Sequence, residues 1–198
     1  MKLPEPIRTT AIAWLILVLA VPFVRADDEQ LSQLMHLLAK NKSGNATFVE
    51  KKYIGLIDRP IISTGDLSFV APDRLEKRTL TPKPESLVLN GDILTIDRPG
   101  KHQMRVSLEE YPEVSAFIES IRGTLAGNLS ALQTFYTLQL TGPEEKWQLV
   151  LTPKQQRLSS IFNRICISGS HADVKIIELY ERDGDHSEMV ITQTSINR

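Results

Sequence analysis

Histidine, cysteine and acidic side chains are the groups most able to bind metals or act as nucleophiles, and in this chain they are scattered. His36, His102, His171 and His186 have no second histidine or acid at the spacing of a metal-ligand pair. Cys166 is the only cysteine, so no internal disulfide can form. Its apolar surroundings, "IFNRICISG", favour a small buried residue over a reactive thiol.

One acidic segment resembles the start of a calcium-binding loop in sequence. "RDGDHSE" (182–188) places Asp183 and Asp185 two residues apart, as at the start of a calcium loop. Asp183-Gly184 is also typical of a tight β-hairpin turn, and such a turn accounts for these residues without a bound metal ion. The chain has no Gly-x-Ser-x-Gly elbow, glycine-rich phosphate loop or CxxC motif. We therefore expect no catalytic residue, no metal and no cofactor.

Apolar residues at helical spacing mark two regions. The first stripe predicts a helix that ends before "KNKSGN", and the second, broken by glycines and followed by "NLSALQTFY", predicts one or two short helices in mid-chain. From periodicity alone, the second stripe fits ordinary core packing as well as a lid over a cavity. The stripes are Leu31, Leu34, Met35 and Leu38, then Val114, Phe117, Ile118, Ile121 and Leu125.

The rest of the chain consists of short β-type runs bounded by turn residues. Asn90-Gly91 and Asp183-Gly184 are hairpin signals, so consecutive strands should be antiparallel neighbours. We predict a mainly β protein with some α: a single curved antiparallel sheet of about eleven strands, an incomplete barrel. Two or three helices should cover its concave face, because their apolar stripes need a common surface to bury. Such a sheet is either filled by its own side chains or hollow.

The amino terminus predicts a secretory signal peptide over residues 1–26. A basic start precedes an apolar run from Ala11 to Val24, and Val24-Arg25-Ala26 matches a cleavage site. The run is shorter than the roughly 20 residues needed to span a bilayer. An uncleaved anchor is the alternative. The prediction is one mature domain, residues 27–198, in the periplasm of a Gram-negative bacterium.

Charge excludes one class of partner. The whole chain carries a net charge of −1, and removal of Lys2, Glu5, Arg8 and Arg25 leaves 20 basic and 23 acidic residues, a net charge of −3. A protein of that balance is not expected to bind nucleic acid.

The order of motifs resembles the LolA family, periplasmic carriers that take lipoproteins from the inner to the outer membrane of Gram-negative bacteria. The resemblance covers most of the mature chain: a leading helix, then "NATFVEKK", "TGDLSFVAP", "LVLNGDILTI", the mid-chain helices, "WQLVLTPK" and "IFNRICIS". It implies an incomplete barrel with a helical lid over an apolar cavity that shelters acyl chains, and no catalysis.

Carried over by position, the resemblance assigns cavity and lid residues. Plain core packing is the alternative for each of them. The candidate lipid-binding residues are Phe48, Leu67, Phe69, Leu75, Val114, Phe117, Ile118, Ile121, Trp147 and Leu149.

The chain departs from the family pattern at the lid latch. The family's arginine before the strand-ending proline, which holds the lid shut, is here Ala71, and Arg74 lies three residues further on. Arg74 or Arg78 could substitute for the missing arginine, and we hypothesise that Arg74 does so. Aromatic positions flanking the motifs are replaced as well, by Ser68, Lys77 and Thr95.

The resemblance predicts a monomeric carrier for a lipidated protein or lipid. It would work between an inner-membrane donor complex and an outer-membrane acceptor. An aryl-polyene or other polyketide-type lipid is the alternative cargo. Two other function classes stay open: a non-transporting envelope binding or assembly module, and an enzyme or enzyme accessory acting on envelope lipids.

Overall fold

The computed structural model describes residues 26–197. The predicted signal peptide, residues 1–26, lies outside the described residues except for Ala26, where the first helix begins. Within the described residues, no helix is long and apolar enough to cross a bilayer.

The described residues form eleven strands and four α-helices, which fall into two blocks. The first block comprises α1 (Ala26–Leu38), β1 (Ser43–Tyr53), β2 (Ile61–Val70), β3 (Arg74–Thr81), β4 (Glu85–Asn90), β5 (Ile93–Asp97) and β6 (Met104–Ser107). After α2 (Pro112–Leu125) and α3 (Leu129–Phe135), the second block comprises β7 (Tyr136–Thr141), β8 (Trp147–Pro153), α4 (Gln156–Ser159), β9 (Phe162–Ser170), β10 (Asp173–Glu181) and β11 (His186–Asn197). Short 3₁₀ turns, Leu108–Glu110 and Glu144–Lys146, precede α2 and β8.

All eleven strands form one open antiparallel sheet in the order β6-β5-β4-β3-β2-β1-β11-β10-β9-β8-β7. Each block is a meander of neighbouring hairpins, and the pairing of β1 with β11 joins the two. The predicted single curved sheet covered by helices is therefore confirmed. The single-turn helix α4 adds a fourth helix to the two or three expected, because four residues are too few to show a helical period.

Tight turns set the register of the hairpins. Gly91 adopts a positive φ of 58° and, with Asp92, connects β4 to β5, one residue later than the Asn90-Gly91 turn predicted. Between β10 and β11, the Asp183 carboxylate accepts from the Asp185 backbone N–H at 3.1 Å, and Asp185 accepts from the Gly55 N–H at 2.9 Å. The Asp183 carboxylate thus stabilises the β10–β11 turn, and the Asp185 carboxylate connects that turn to the β1–β2 loop.

The packed core lies toward the β7–β9 end of the sheet. There the apolar face of α1 and Leu132 of α3 pack on inward-facing residues of the strands. Trp147 is 2% exposed, and its indole N–H donates to the His171 carbonyl at 2.9 Å. Gly127, at the end of α2, lets that helix approach α1, since a Cβ there would lie 2.1 Å from the Met35 carbonyl oxygen.

Candidate functional site

An apolar cavity lies between the sheet and α2 and adjoins the packed core, with which it shares Ala46, Ile167 and Ile191. Its volume is about 440 Å³, within the range of roughly 300–1,000 Å³ typical of small-molecule sites. The strands β1 to β5 form one wall, β10 and β11 another, and α2 covers both.

Inward-facing positions of the first block build one wall. In a strand alternate residues point to the same face, and the pairing places Ala46, Leu67, Lys77 and Leu87 in one row across β1 to β4. The next row is Gly44, Phe69, Leu75, Leu89 and Leu94.

The inner face of α2 forms the cover. Its cavity-lining residues are spaced at three and four positions, which places them on one side of the helix. The Phe117 ring also stacks against Phe162 of β9, with centroids 5.8 Å apart, so the cover is anchored at the edge of the packed core. The α2 residues at the cavity are Val114, Phe117, Ile118, Ile121, Thr124 and Leu125.

Polar contacts tie both ends of α2 to the rest of the protein. At its carboxyl-terminal end, the Arg122 guanidinium donates to the Gly91 carbonyl at 3.0 Å and lies 3.6 Å from the Asp92 carboxylate. The same guanidinium donates to Glu119 at 2.9 and 2.7 Å, which fixes its orientation. At the other end, Arg157 of α4 lies 3.3 Å from Glu113. The helix is thus tethered both to the β4–β5 turn and to α4.

An ion pair lines this mostly apolar cavity, whose lining also includes Glu76 and several neutral polar side chains. The Lys77 ammonium donates to the Glu50 carboxylate at 2.6 Å, and these side chains are 28% and 20% exposed. The ammonium also lies 5.0 Å from the centre of the Phe48 ring. The Phe48 ring occupies the space above Gly65, where a Cβ would lie 2.9 Å from a ring carbon. Because Gly65 has no side chain, Lys77 can reach across β2 to Glu50 on β1.

Most of the predicted lipid-binding residues line this cavity, and three lie elsewhere. Phe48 is buried beneath Lys77 and is not among the described residues at the cavity surface. Trp147 and Leu149 belong to the packed core. Contact of these residues with a cargo stays a prediction. The predicted residues at the cavity are Leu67, Phe69, Leu75, Val114, Phe117, Ile118 and Ile121.

The two predicted latch residues lie at the start of the β2–β3 connection and of β3. The Ala71 backbone N–H donates to the Lys42 carbonyl at 2.8 Å. The Arg74 guanidinium lies 3.3 Å from Glu76 on the same strand. Arg122, which the sequence reasoning did not single out, connects α2 to the β4–β5 turn of the sheet. A latch role for Arg74 remains a prediction.

Several cavity residues were missed in the sequence because they come from strands distant along the chain. Their alternation was visible in "ESLVLN" and "DVKIIELYE", but alternation shows that a face is buried and not what covers it. The missed apolar residues include Leu87, Leu89, Leu94, Ile177, Leu179, Met189 and Ile191.

Cys166 points to the opposite face of the sheet, between the core residues Ile165 and Ile167. Burial raises the pKa of its thiol, against the smaller opposing effect of the neighbouring Arg164. A raised pKa leaves little thiolate near neutral pH, so the side chain is a weak nucleophile.

The family assignment follows from the whole described domain. Residues 24–196 match the model of the family described as outer membrane lipoprotein carrier protein LolA-like. The chain belongs to this LolA-like family. No protein of curated function matches its sequence.

Solved structures similar to this LolA-like chain share little sequence with it. A LolA superfamily protein from Nitrosomonas europaea is 10% identical, with a TM-score of 0.45, over 87% of this chain and 94% of that one. The MucA/MucB complex from Pseudomonas aeruginosa gives 15% identity and a TM-score of 0.49, over 85% of this chain and 58% of that one. A putative outer membrane lipoprotein-sorting protein domain from Vibrio parahaemolyticus is 11% identical, with a TM-score of 0.42, over 85% and 90%.

Proposed function

We propose that this LolA-like protein is a periplasmic carrier, acting as a monomer and without catalysis, that shelters the acyl chains of a lipid or lipidated protein between its sheet and α2. The observation that carries the proposal is the cavity itself, whose walls are aliphatic and phenylalanine side chains apart from a few polar groups. Burial of an acyl chain contributes about 0.8 kcal/mol per methylene, so such walls bind hydrocarbon without specific hydrogen bonds.

Release is the step that needs a moving part. A bound acyl chain leaves readily only toward another apolar site, so a carrier must open at a donor or an acceptor in the membranes it serves. In this proposal α2 is the element that opens. Polar contacts at its ends and the apolar contacts of one face hold it over the cavity, and on its other side it packs against Leu132 of α3 and accepts a hydrogen bond from Tyr136. In this proposal, an inner-membrane complex loads the cavity and an outer-membrane acceptor empties it.

The decisive experiment is native mass spectrometry of protein purified from the periplasm, with a pair of matched variants. Leu87 faces the cavity and Val88, its neighbour on β4, faces the opposite side of the sheet. Leu87→Trp should fill part of the cavity and lower lipid occupancy several-fold. Val88→Trp should leave occupancy at the wild-type level.

The outcomes separate the function classes. Lipid that co-purifies with wild-type protein and Val88→Trp, and is depleted in Leu87→Trp, supports a carrier. Protein that is free of lipid in all three forms indicates a non-transporting envelope module and contradicts the proposal. The identity of any bound lipid distinguishes a lipoprotein or glycerolipid cargo from an aryl-polyene type.

A further inference from the structure

The ion pair in the cavity wall is unlike its surroundings. Glu50 and Lys77 lie on the inward faces of β1 and β3, among apolar side chains that would contact hydrocarbon. A second pair, Lys52 with Glu181 at 3.0 Å, follows on the same face of β1, two residues beyond Glu50. Ser187, which pairs with Lys52 in register, also lines the cavity. This end of the cavity therefore has charged side chains, whereas the opposite end, near the start of β1, has neutral polar ones such as Asn41, Asn45 and Gln193.

A cargo made only of hydrocarbon would be a poor match for this end. Packing an alkyl chain against the Glu50–Lys77 pair would remove the water that reaches it, and an ion pair without water needs further hydrogen-bonding partners. An ammonium has three donors, and one of them is directed at Glu50 at 2.6 Å. The carboxylate likewise has lone pairs beyond the one that Lys77 uses.

We propose that the Glu50–Lys77 pair, together with Ser187, binds the polar head of the cargo, and that the preferred head is uncharged and has both hydrogen-bond donors and acceptors. This rests on the proposed carrier function. The glycerol hydroxyls of a monoacylglycerol have this chemistry, since one hydroxyl accepts from Lys77 while another donates to Glu50. The acyl chain then extends along the apolar rows toward Phe69 and Leu89.

The charge balance argues against an anionic head. The opposite charges of Glu50 and Lys77 lie next to each other, so their fields largely cancel for a third group. A carboxylate that approaches Lys77 also approaches Glu50, and two carboxylates close together repel each other. The same balance holds for Lys52 and Glu181.

The test compares two amphiphiles with the same acyl chain, monododecanoylglycerol and dodecanoate, by isothermal titration calorimetry below their micelle concentrations. Wild-type protein should bind the glycerol ester more tightly than the anion. Glu50→Gln frees the Lys77 ammonium to pair with an anion, so the affinity for dodecanoate should rise about tenfold relative to the ester, the effect of one charge-assisted hydrogen bond. Lys77→Gln leaves the Glu50 carboxylate and should shift the ratio in the opposite direction.

Asp66→Asn is the matched control. Asp66 pairs with Arg78 on the same two-strand ribbon, β2 and β3, but at positions that alternate with the cavity-facing ones. This variant removes a carboxylate from an ion pair outside the cavity and should leave the ratio of the two affinities unchanged. Circular dichroism checks that each variant is folded.

The outcomes distinguish this inference from the function on which it rests. If wild-type protein binds both amphiphiles but Glu50→Gln does not change their ratio, the head lies elsewhere and the inference is wrong while the carrier function stands. Tighter wild-type binding of dodecanoate than of the ester also overturns it. If wild-type protein binds neither amphiphile, both the inference and the carrier proposal fail.

Discussion

Tyr136 illustrates how a single polar atom is placed in the packed core. The side chain is 0% exposed at the start of β7, and its hydroxyl donates to the Ala116 carbonyl of α2 at 2.8 Å. This hydrogen bond links α2 to β7, while Arg122 links the same helix to the β4–β5 turn. Burial raises the pKa of the Tyr136 hydroxyl above its ordinary value.

We expect alkaline pH to destabilise the protein partly through Tyr136. The folded state keeps the Tyr136 proton to a higher pH than the unfolded chain, whose tyrosine pKa is about 10. The contribution of Tyr136 to stability is therefore constant below pH ~10. That contribution is lost as the pH rises from there through the pKa of the folded state. Urea unfolding at neutral pH and above pH ~10 should show that Tyr136→Phe, which cannot ionise, loses less stability on alkalinisation than the wild type.

At neutral pH the same substitution should cost about 1 kcal/mol, the net value of one hydrogen bond. Tyr53→Phe is the control, because Tyr53 is more than a third exposed and stacks on His186 at the sheet surface. An alkaline loss that is equal in wild type and Tyr136→Phe would show that Tyr136 does not titrate during unfolding.

At the scale of elements, α2 covers the cavity, and its attachment would decide how the proposed carrier opens. Its contact with the β4–β5 turn depends on one guanidinium, which Glu119 orients and which reaches the Gly91 carbonyl. The arrangement places the arginine on the helix and the accepting carbonyl on the sheet. The family resemblance had suggested a latch on the sheet side, with Arg74 in place of the arginine that is missing at Ala71.

Loss of Arg122 should loosen α2. A hydrogen bond to a charged group contributes about 1.5–3 kcal/mol, so Arg122→Gln should lower the hydrogen-exchange protection of α2 amides about tenfold. Amides of β8 and β9 should be unaffected, because they lie in the packed core.

Arg74→Gln tests the alternative latch in the same experiment. Arg74 lies beside Glu76 on its own strand, so we expect a smaller effect on α2 than that of Arg122→Gln. If only Arg74→Gln deprotects α2, the Arg122 contact is not what holds the helix. If neither variant does, the apolar contacts of α2 are sufficient by themselves.

At the scale of the whole molecule, the sheet has a filled end and a hollow end. Leu149 is completely buried where α1 and α3 pack on β7 to β9. Leu75, at the other end, faces the cavity and is only partly buried. The packed core therefore lies mainly against the second meander, while both meanders, through β1 to β5 and through β10 and β11, line the cavity.

A series of leucine-to-alanine substitutions measures this division. Leu149→Ala should destabilise by about 2–5 kcal/mol, as full burial dictates, and Leu75→Ala by clearly less, because its side chain already borders empty space. Leu56 is 98% exposed in the β1–β2 loop, so Leu56→Ala should change the free energy of unfolding by less than about 0.5 kcal/mol. Equal costs for Leu149→Ala and Leu75→Ala in urea unfolding would contradict a hollow end.

Local patterns in the sequence were sufficient for the fold. Helical stripes in α1 and α2, alternation in the strands and hairpin dipeptides predict an antiparallel sheet with helices on one face, because these signals act between residues close along the chain. The resemblance to the LolA family, and not these patterns, predicted that Leu67, Phe69, Leu75 and the α2 stripe line a cavity, and in the structure they do so.

Only the tertiary structure decides which buried residues face another side chain and which face empty space. Trp147 and Leu149 alternate as regularly as Leu67 and Phe69, yet helices cover the first pair while a cavity adjoins the second. The contacts of Lys77 with Glu50 and of Arg122 with Gly91 join positions 27 and 31 residues apart. Strand pairing and helix packing create such contacts, and no period along the chain encodes them.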